Sequence, residues 1–149
     1  MPFALSSTAF ANNLPIPAIY SCEGENISPP LAWHDAPSGT QSFVLIIEDP
    51  DAPGGVFRHW GVYNLPGGET KLPRGTKLAD AKQAVNDFNH AHYDGPCPPP
   101  GGAHHYHFRL AALNRATLAL PADIDVAALW QAAQPYIIAE TELVGTFKR

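Results

Sequence analysis

The stretch SFVLIIEDPDAP, residues 42–53, contains a strand signal and a turn signal in direct succession. Its first seven residues are rich in β-branched and aromatic side chains, which predicts a buried β-strand over 42–48. The DPDAP that follows sets two carboxylates beside prolines, whose fixed φ makes a turn rigid. The sequence therefore predicts a strand that ends in a stiff acidic turn, although Asp49 and Asp51 also fit a simpler role as caps of turn amides.

Further strands are predicted elsewhere in the chain. They are FRHWGVYNL (57–65), HYHFRLAAL (105–113) and a short terminal strand, VGTFK (144–148). The 16 prolines and 12 glycines are spread along the chain and leave little room for long helices. This pattern predicts a mostly β fold with elaborate loops.

Two helices are predicted late in the chain. Residues 126–133 follow the acidic segment ADID, and residues 135–143 begin with Pro135, a residue suited to the first turn of a helix. The chain has 149 residues, near the common size of one domain. We therefore expect a single domain over 1–149.

Composition and charge argue against several classes of protein. The net charge is −5, and no basic run exceeds the pair Lys148 and Arg149, so nothing indicates a nucleic-acid surface. No apolar run approaches the roughly 20 residues of a membrane span, and the segment MPFALSSTAFANNLP lacks the features of a secretory signal. We expect a cytoplasmic location, where Cys22 and Cys97 would be free thiols.

The histidine clusters yield a geometric prediction, because residues two apart in a strand share a face. In a strand over HHYHF, His104 and Tyr106 lie on the face of Phe108, and His105 and His107 lie on the other. The same alternation in FRHWGVYN would set His59 with Gly61 and Tyr63 and apart from Arg58, Trp60 and Val62.

A zinc site is one alternative for so many histidines, since His90, His92, His104, His105 and His107 fall within a short stretch. However, the chain has no H-E-x-x-H motif, and strand alternation divides the second cluster between two faces. The sequence therefore predicts no metal site and no cofactor.

Covalent catalysis is another alternative. The chain lacks the G-x-S-x-G and G-x-x-x-x-G-K motifs, but Cys97 lies in a proline-rich loop near His104. A thiolate beside an imidazolium is an activated nucleophile, so a hydrolase or transferase is a second hypothesis. The simpler interpretation of Cys97 is a small apolar residue packed under prolines.

Several motifs occur together and in order: NISPPLAWHDAPSGTQSFVLIIEDPDAP, HWGVYNLP, NDF, YDGPCPPPGGAHHYHF and AETELVGTFKR. In this combination the chain resembles the phosphatidylethanolamine-binding protein family, in its bacterial and archaeal branch of Raf kinase inhibitor-like proteins. The resemblance runs from about residue 16 to the C-terminus. It implies a large antiparallel sheet packed on a smaller sheet, with short helices near the C-terminal part.

The resemblance also implies a pocket for a small anion. The family's pocket residues correspond to the first Asp of DPDAP, the His before the Trp, two prolines of the second motif, and the following His and Tyr. In this chain they are Asp49, His59, Pro98, Pro99, His104 and Tyr106.

Two positions depart from the family pattern. His105 stands where the family usually has arginine, so a permanent cation is replaced by a group that titrates. Asn89 stands where the family has glycine, and asparagine is the residue after glycine that best tolerates a positive φ.

We accordingly expect a binding protein rather than an enzyme. The expected ligand is phosphate, acetate or a phosphoethanolamine-like headgroup, bound through charge-assisted hydrogen bonds from protonated imidazole. By analogy with the family, a kinase or protease is a possible protein partner and the chain is expected to form a homodimer.

Overall fold

The structure is a computed structural model that describes residues 2–78 and 81–149. Its strands form a six-stranded and a three-stranded sheet. The strands are β1 (Ala4–Ser6), β2 (Leu14–Pro15), β3 (Leu31–His34), β4 (Ser42–Asp49), β5 (Phe57–Pro66), β6 (Lys71–Leu72), β7 (Lys82–Gln83), β8 (His104–Leu113) and β9 (Ile137–Phe147).

The larger sheet has the order β2-β9-β8-β4-β5-β7, and the smaller has the order β1-β3-β6. All pairings are antiparallel except that of β2 with β9. The predicted fold class, mostly β with a large sheet packed on a smaller one, is confirmed.

Strand β4 lies at the centre of the larger sheet and is buried on both faces. Phe43 belongs to a core cluster shared with the smaller sheet, and its ring centroid lies 5.3 Å from that of Trp33 on β3. Val44 and Ile46 belong to a second cluster on the opposite face. Because both faces are covered, the strand is an almost continuous apolar run rather than an alternating one.

The second cluster is covered by helix α1 (Val126–Ala133), which lies where the sequence predicts it. The carboxylate of Asp125 accepts a hydrogen bond from the Ala128 amide at 2.7 Å and so caps the helix. The helix approaches β5 closely at Gly61, where a Cβ atom would stand 2.9 Å from a methyl group of Val126. Among the described residues, no helix is long and apolar enough to cross a bilayer.

The second predicted helix, 135–143, is wrong. Gln134–Tyr136 form a short 3-10 turn that contains Pro135, and strand β9 begins at Ile137. Burial along β9 alternates with a period of two, which ends with Leu143, Gly145 and Phe147 all buried. The strand pairs with β8 along its length, so long-range sheet hydrogen bonds override the local helical tendency.

The expected free thiols are also absent. Cys22 and Cys97, which are 75 positions apart, are joined in a disulfide with a Cα–Cα distance of 5.4 Å. The two segments are held together nearby by the Cys22 amide, which donates to the Pro96 carbonyl at 3.1 Å. Cys97 therefore has no thiol to act as a nucleophile, and the hypothesis of a Cys97–His104 hydrolase or transferase is wrong for this structure.

Candidate functional site

The site forms where the end of β4 meets the start of β8. Glu48 pairs with His107 in the antiparallel register, which brings Asp49 beside the first residues of β8. Asp49 Oδ2 lies 2.7 Å from His104 Nδ1, and Asp49 Oδ1 accepts a hydrogen bond from the Asp51 amide at 2.8 Å. Asp49 is only 3% exposed, so both carboxylate oxygens are buried and partnered.

The predicted alternation along β8 is confirmed. Tyr106 and Phe108 are buried in the core on the side of His104. On the opposite side, His105 Nδ1 lies 2.8 Å from Asp51 Oδ2, and His107 Nδ1 lies 3.2 Å from Glu142. The inward-facing residues of this strand are therefore the ones available to a pocket.

The predicted grouping of His59 with Gly61 and Tyr63 is wrong. Ile47 pairs with Trp60 and Glu48 pairs with Arg58, so His59 has no opposite residue and forms a β-bulge. The extra residue turns the imidazole toward the face of Trp60, where its ring centroid lies 5.3 Å from that of Tyr106. The bulge thus moves His59 into the site.

The protonation of His59 is set by its surroundings. Its Nδ1 lies 2.9 Å from the carbonyl oxygen of Asp94, which can only accept, so Nδ1 carries the hydrogen. Burial lowers the pKa of His59, and it outweighs the hydrogen bond to the Asp94 carbonyl and the charge of Asp49. A neutral ring bonded in this way has Nε2 as a hydrogen-bond acceptor.

Tyr106 is the phenol of the site and is 1% exposed. Burial raises its pKa above the ordinary value of 10.0, and the negative charge of Asp49 raises it further. The hydroxyl therefore keeps its proton throughout the physiological range and can donate to an acidic ligand.

These side chains line a cavity of about 190 Å³. The structure brings together all six residues that the sequence singles out; that they bind an anion stays a prediction. The complete lining is Asp49, Ala52, Pro53, Phe57, His59, Phe88, Cys97, Pro98, Pro99, His104 and Tyr106.

Sequence reasoning missed the aromatic part of this wall. Phe57 and Phe88 contact each other, with ring centroids 4.8 Å apart, and both contact the His59 ring, at 5.2 and 5.5 Å. A signal for both was present in the sequence, since Phe57 lies two residues before His59 and Phe88 lies within the NDF motif. Asn89, next to Phe88, has φ +64°, so the positive φ expected from the sequence is confirmed.

Other clefts among the described residues are larger than this cavity, from about 210 to about 540 Å³, and one of about 270 Å³ lies beside β6. Its charged residues are Glu69, Lys71 and Lys77, and both lysines are exposed. Exposed, flexible ammonium groups lose more conformational freedom on binding a ligand than buried side chains that are hydrogen-bonded to one another, so they bind it less tightly. The smaller cavity is therefore a better candidate site than the cleft beside β6.

Known proteins share both the sequence and the fold. A sequence model of the family described as phosphatidylethanolamine-binding protein matches residues 6–148. A UPF0098 protein of Aquifex aeolicus is 41% identical over 148 residues, which cover 96% of this chain and 86% of that protein. A Mycobacterium tuberculosis protein that is named as a lipoprotein, LppC, is 38% identical and is covered over 73% of its length by 99% of this chain.

The solved structure of CT736 from Chlamydia trachomatis, described as a homologue of this family, superposes with a TM-score of 0.92 at 39% identity, covering 99% of this chain and 97% of that one. Escherichia coli YbcL, described as a member of the mammalian family, gives a TM-score of 0.93 at 34% identity, covering 99% of this chain and 98% of that one. The chain therefore belongs to the phosphatidylethanolamine-binding protein family.

Proposed function

We propose that the protein binds a small ligand with a phosphate or carboxylate group in the 190 Å³ cavity. The observation that supports this most strongly is the convergence of His104, His59 and Tyr106 on one cavity from strands distant in sequence. Two imidazoles and a phenol are suited to hydrogen bonding an oxyacid from several directions.

Asp49 repels a bound anion less strongly than a carboxylate without hydrogen-bond partners would. Both oxygens of Asp49 are occupied, one by His104 Nδ1 and one by the Asp51 amide. The carboxylate therefore orients the His104 ring and leaves its Nε2 as the nitrogen available to a ligand. When that ring carries a second proton, Nε2–H donates to a negatively charged oxygen in a charge-assisted hydrogen bond.

His59 favours a ligand that brings a proton. Its Nδ1–H donates to the Asp94 carbonyl, so Nε2 can accept a hydrogen bond from a P–OH or C–OH group. A hydrogen phosphate or a singly protonated phosphomonoester offers one such donor and several acceptor oxygens. The pocket thus fits a group that both donates to His59 and accepts from His104.

The size of the cavity limits the ligand. Pockets for drug-sized molecules usually measure roughly 300–1,000 Å³, whereas this one holds about 190 Å³. Phosphate, acetate and phosphoethanolamine are of suitable size. Pro98, Phe57 and Phe88 give the cavity apolar walls, which lower the local dielectric and strengthen the polar contacts inside.

Thermal unfolding with phosphate or phosphoethanolamine tests the proposal. A ligand at 100 times its Kd stabilises by about 2.7 kcal/mol, which raises Tm by about 5–10 °C for a chain of this size. His59→Ala and His104→Ala should abolish the rise, and His105→Ala, on the opposite face of β8, should keep it. The readout is the ligand-induced shift, so a lower starting Tm of a variant does not affect the comparison. An equal shift in all four proteins would show that this pocket is not the binding site.

The proposal extends to assembly and partners on the strength of family membership alone. We propose a homodimer, to be measured by light scattering, and a kinase or protease partner, to be sought by co-purification. A cytoplasmic location rests on the sequence pattern alone, and the Cys22–Cys97 disulfide argues against it, because cytosolic thiols are normally reduced. Cell fractionation tests it, with membrane association or export as the contradicting result.

A further inference from the structure

Three side chains that are able to bind a metal ion lie together in the loop just before the prolines that line the cavity. They are His90, His92 and Asp94, in the spacing H-x-H-x-D. One donor atom from each lies within 4.8 Å of the other two. Asp94 Oδ2 is 2.8 Å from His90 Nδ1 and 3.7 Å from His92 Nδ1, and the two imidazole rings stack with centroids 4.6 Å apart.

We propose that His90, His92 and Asp94 bind a divalent metal ion such as Zn²⁺. Imidazole nitrogen and carboxylate oxygen are ligands that Zn²⁺ prefers. In a tetrahedral site with bonds of 2.0–2.1 Å, ligand atoms stand about 3.3 Å apart. His90 Nδ1 is hydrogen-bonded to Asp94 Oδ2, and His92 Nδ1 is hydrogen-bonded to the Tyr93 carbonyl at 3.0 Å. A metal ion bound through either Nδ1 replaces that hydrogen bond and its proton, and each ring can turn to offer Nε2 instead.

The loop is held in place by a buried amide. Asn86 is 3% exposed, and its Nδ2 lies 2.8 Å from Asp94 Oδ2 and 2.9 Å from the carbonyl of His92. Its Oδ1 accepts from the amides of Phe88 and His90 at 2.9 and 3.0 Å. One residue thus positions all three ligand-bearing segments, which is the role of outer partners in metal sites.

The site is open to solvent on the histidine side. The His90 and His92 side chains are 50% and 60% exposed, whereas Asp94 is 13% exposed. Three protein ligands with an accessible remaining position leave room for a water molecule or an external ligand. The ion would lie close to the anion pocket, because the Asp94 carbonyl accepts from His59.

Strand alternation separates His104 from His105 and His107, which all lie in β8. It does not separate His90 from His92, because these two residues lie in a loop. Another exposed histidine–carboxylate pair, His34 with Asp35, lies outside this three-residue cluster. The 2.7 Å contact of His34 with Asp35 therefore supplies a matched control for the cluster.

Isothermal titration of the untagged, metal-free protein with zinc chloride tests the site. We expect one equivalent to bind to the wild type. His90→Ala, His92→Ala and Asp94→Asn should each weaken binding at least about tenfold, because each removes one of three ligands. His34→Ala should bind as the wild type does. With Co²⁺ as the probe, the wild type should show the absorption of a tetrahedral ion, and His92→Ala should lose it.

Two results would overturn the proposal. One is the absence of saturable 1:1 binding by the wild type. The other is an equal loss of affinity in His34→Ala and His90→Ala, which would mean that exposed histidines in general hold the metal. His90 and His92 are exposed, so their replacement is expected to leave the far-UV spectrum and Tm of the metal-free protein unchanged, and this provides the check on folding.

Discussion

Two histidine–carboxylate pairs stand side by side at the start of β8 and have almost the same geometry. His104 lies 2.7 Å from Asp49, and His105 lies 2.8 Å from Asp51. The two histidines are consecutive, and both acids belong to the DPDAP turn. Yet the first pair has side chains 12% and 4% exposed, and the second has side chains 52% and 43% exposed.

The difference shows that a short distance does not by itself make a site. Strand alternation sends the first pair inward, beside Tyr106 and the cavity, where less solvent competes for its hydrogen bonds. The second pair points outward, where water and salt screen the interaction. Burial, rather than the identity of the partners, therefore separates the candidate functional pair from the surface pair.

The largest contrast is expected when each acid is removed. Asp49→Ala leaves the His104 ring and the Asp51 amide without their partner in a buried region, so the free energy of unfolding should fall by about 3 kcal/mol. Asp51→Ala should cost less than about 1 kcal/mol, as is usual for exposed pairs. Urea denaturation at neutral pH measures both. Equal losses would contradict the distinction between the pairs.

A smaller effect is expected at alkaline pH from Tyr106, the neighbour of the buried pair. Because its pKa in the folded state is raised above 10.0, the unfolded chain loses this proton first as the pH rises. Stability that is fully present below pH 10.0 is therefore lost above it, by up to about 1.4 kcal/mol per pH unit.

The free energy of unfolding of the Tyr106→Phe variant should fall less steeply than that of the wild type between about pH 9 and about pH 11. Urea denaturation at several pH values measures it. The variant keeps some slope, because burial also raises the pKa of Tyr93. Parallel curves for variant and wild type would mean that the Tyr106 phenol has the same proton affinity folded and unfolded.

The smallest effect is expected at acid pH from the exposed pair. The hydrogen bond from the His105 side chain holds the pKa of Asp51 below its ordinary value of 3.8. Its contribution is therefore present above that value and is lost as the pH falls through the lowered pKa. The stability difference between wild type and Asp51→Ala, a few tenths of a kcal/mol at about pH 6, should shrink toward zero in acid. A difference that stays constant with pH would assign the effect to packing instead.

Sequence reasoning was most successful where the controlling interactions are local. The β8 alternation that separates His104 from His105 follows from the backbone geometry of any strand. The positive φ of Asn89 follows from the conformational range of that residue type, and α1 follows from its cap at Asp125. The ordered motifs were specific enough to indicate the family and the six residues around the cavity.

The same reasoning failed where distant segments decide the outcome. Local periodicity assigned His59 to the wrong face, because the bulge exists only in the pairing of β5 with β4. Residues 135–143 were predicted as helix, but pairing with β8 makes Ile137–Phe147 a strand. Free thiols were expected because the chain was predicted to be cytoplasmic. The proximity of Cys22 and Cys97, 75 positions apart, could not be deduced from spacing.

By itself, the sequence determined the family, the mostly β class and the order of residues along each strand, since these depend on residue type and near neighbours. Only the tertiary structure decided which imidazoles share a space: His59 with His104 in the cavity, and His90 with His92 beside Asp94. The physical reason is that register, bulges and loop closure arise from hydrogen bonds and packing between segments far apart in the chain, which a local pattern does not encode.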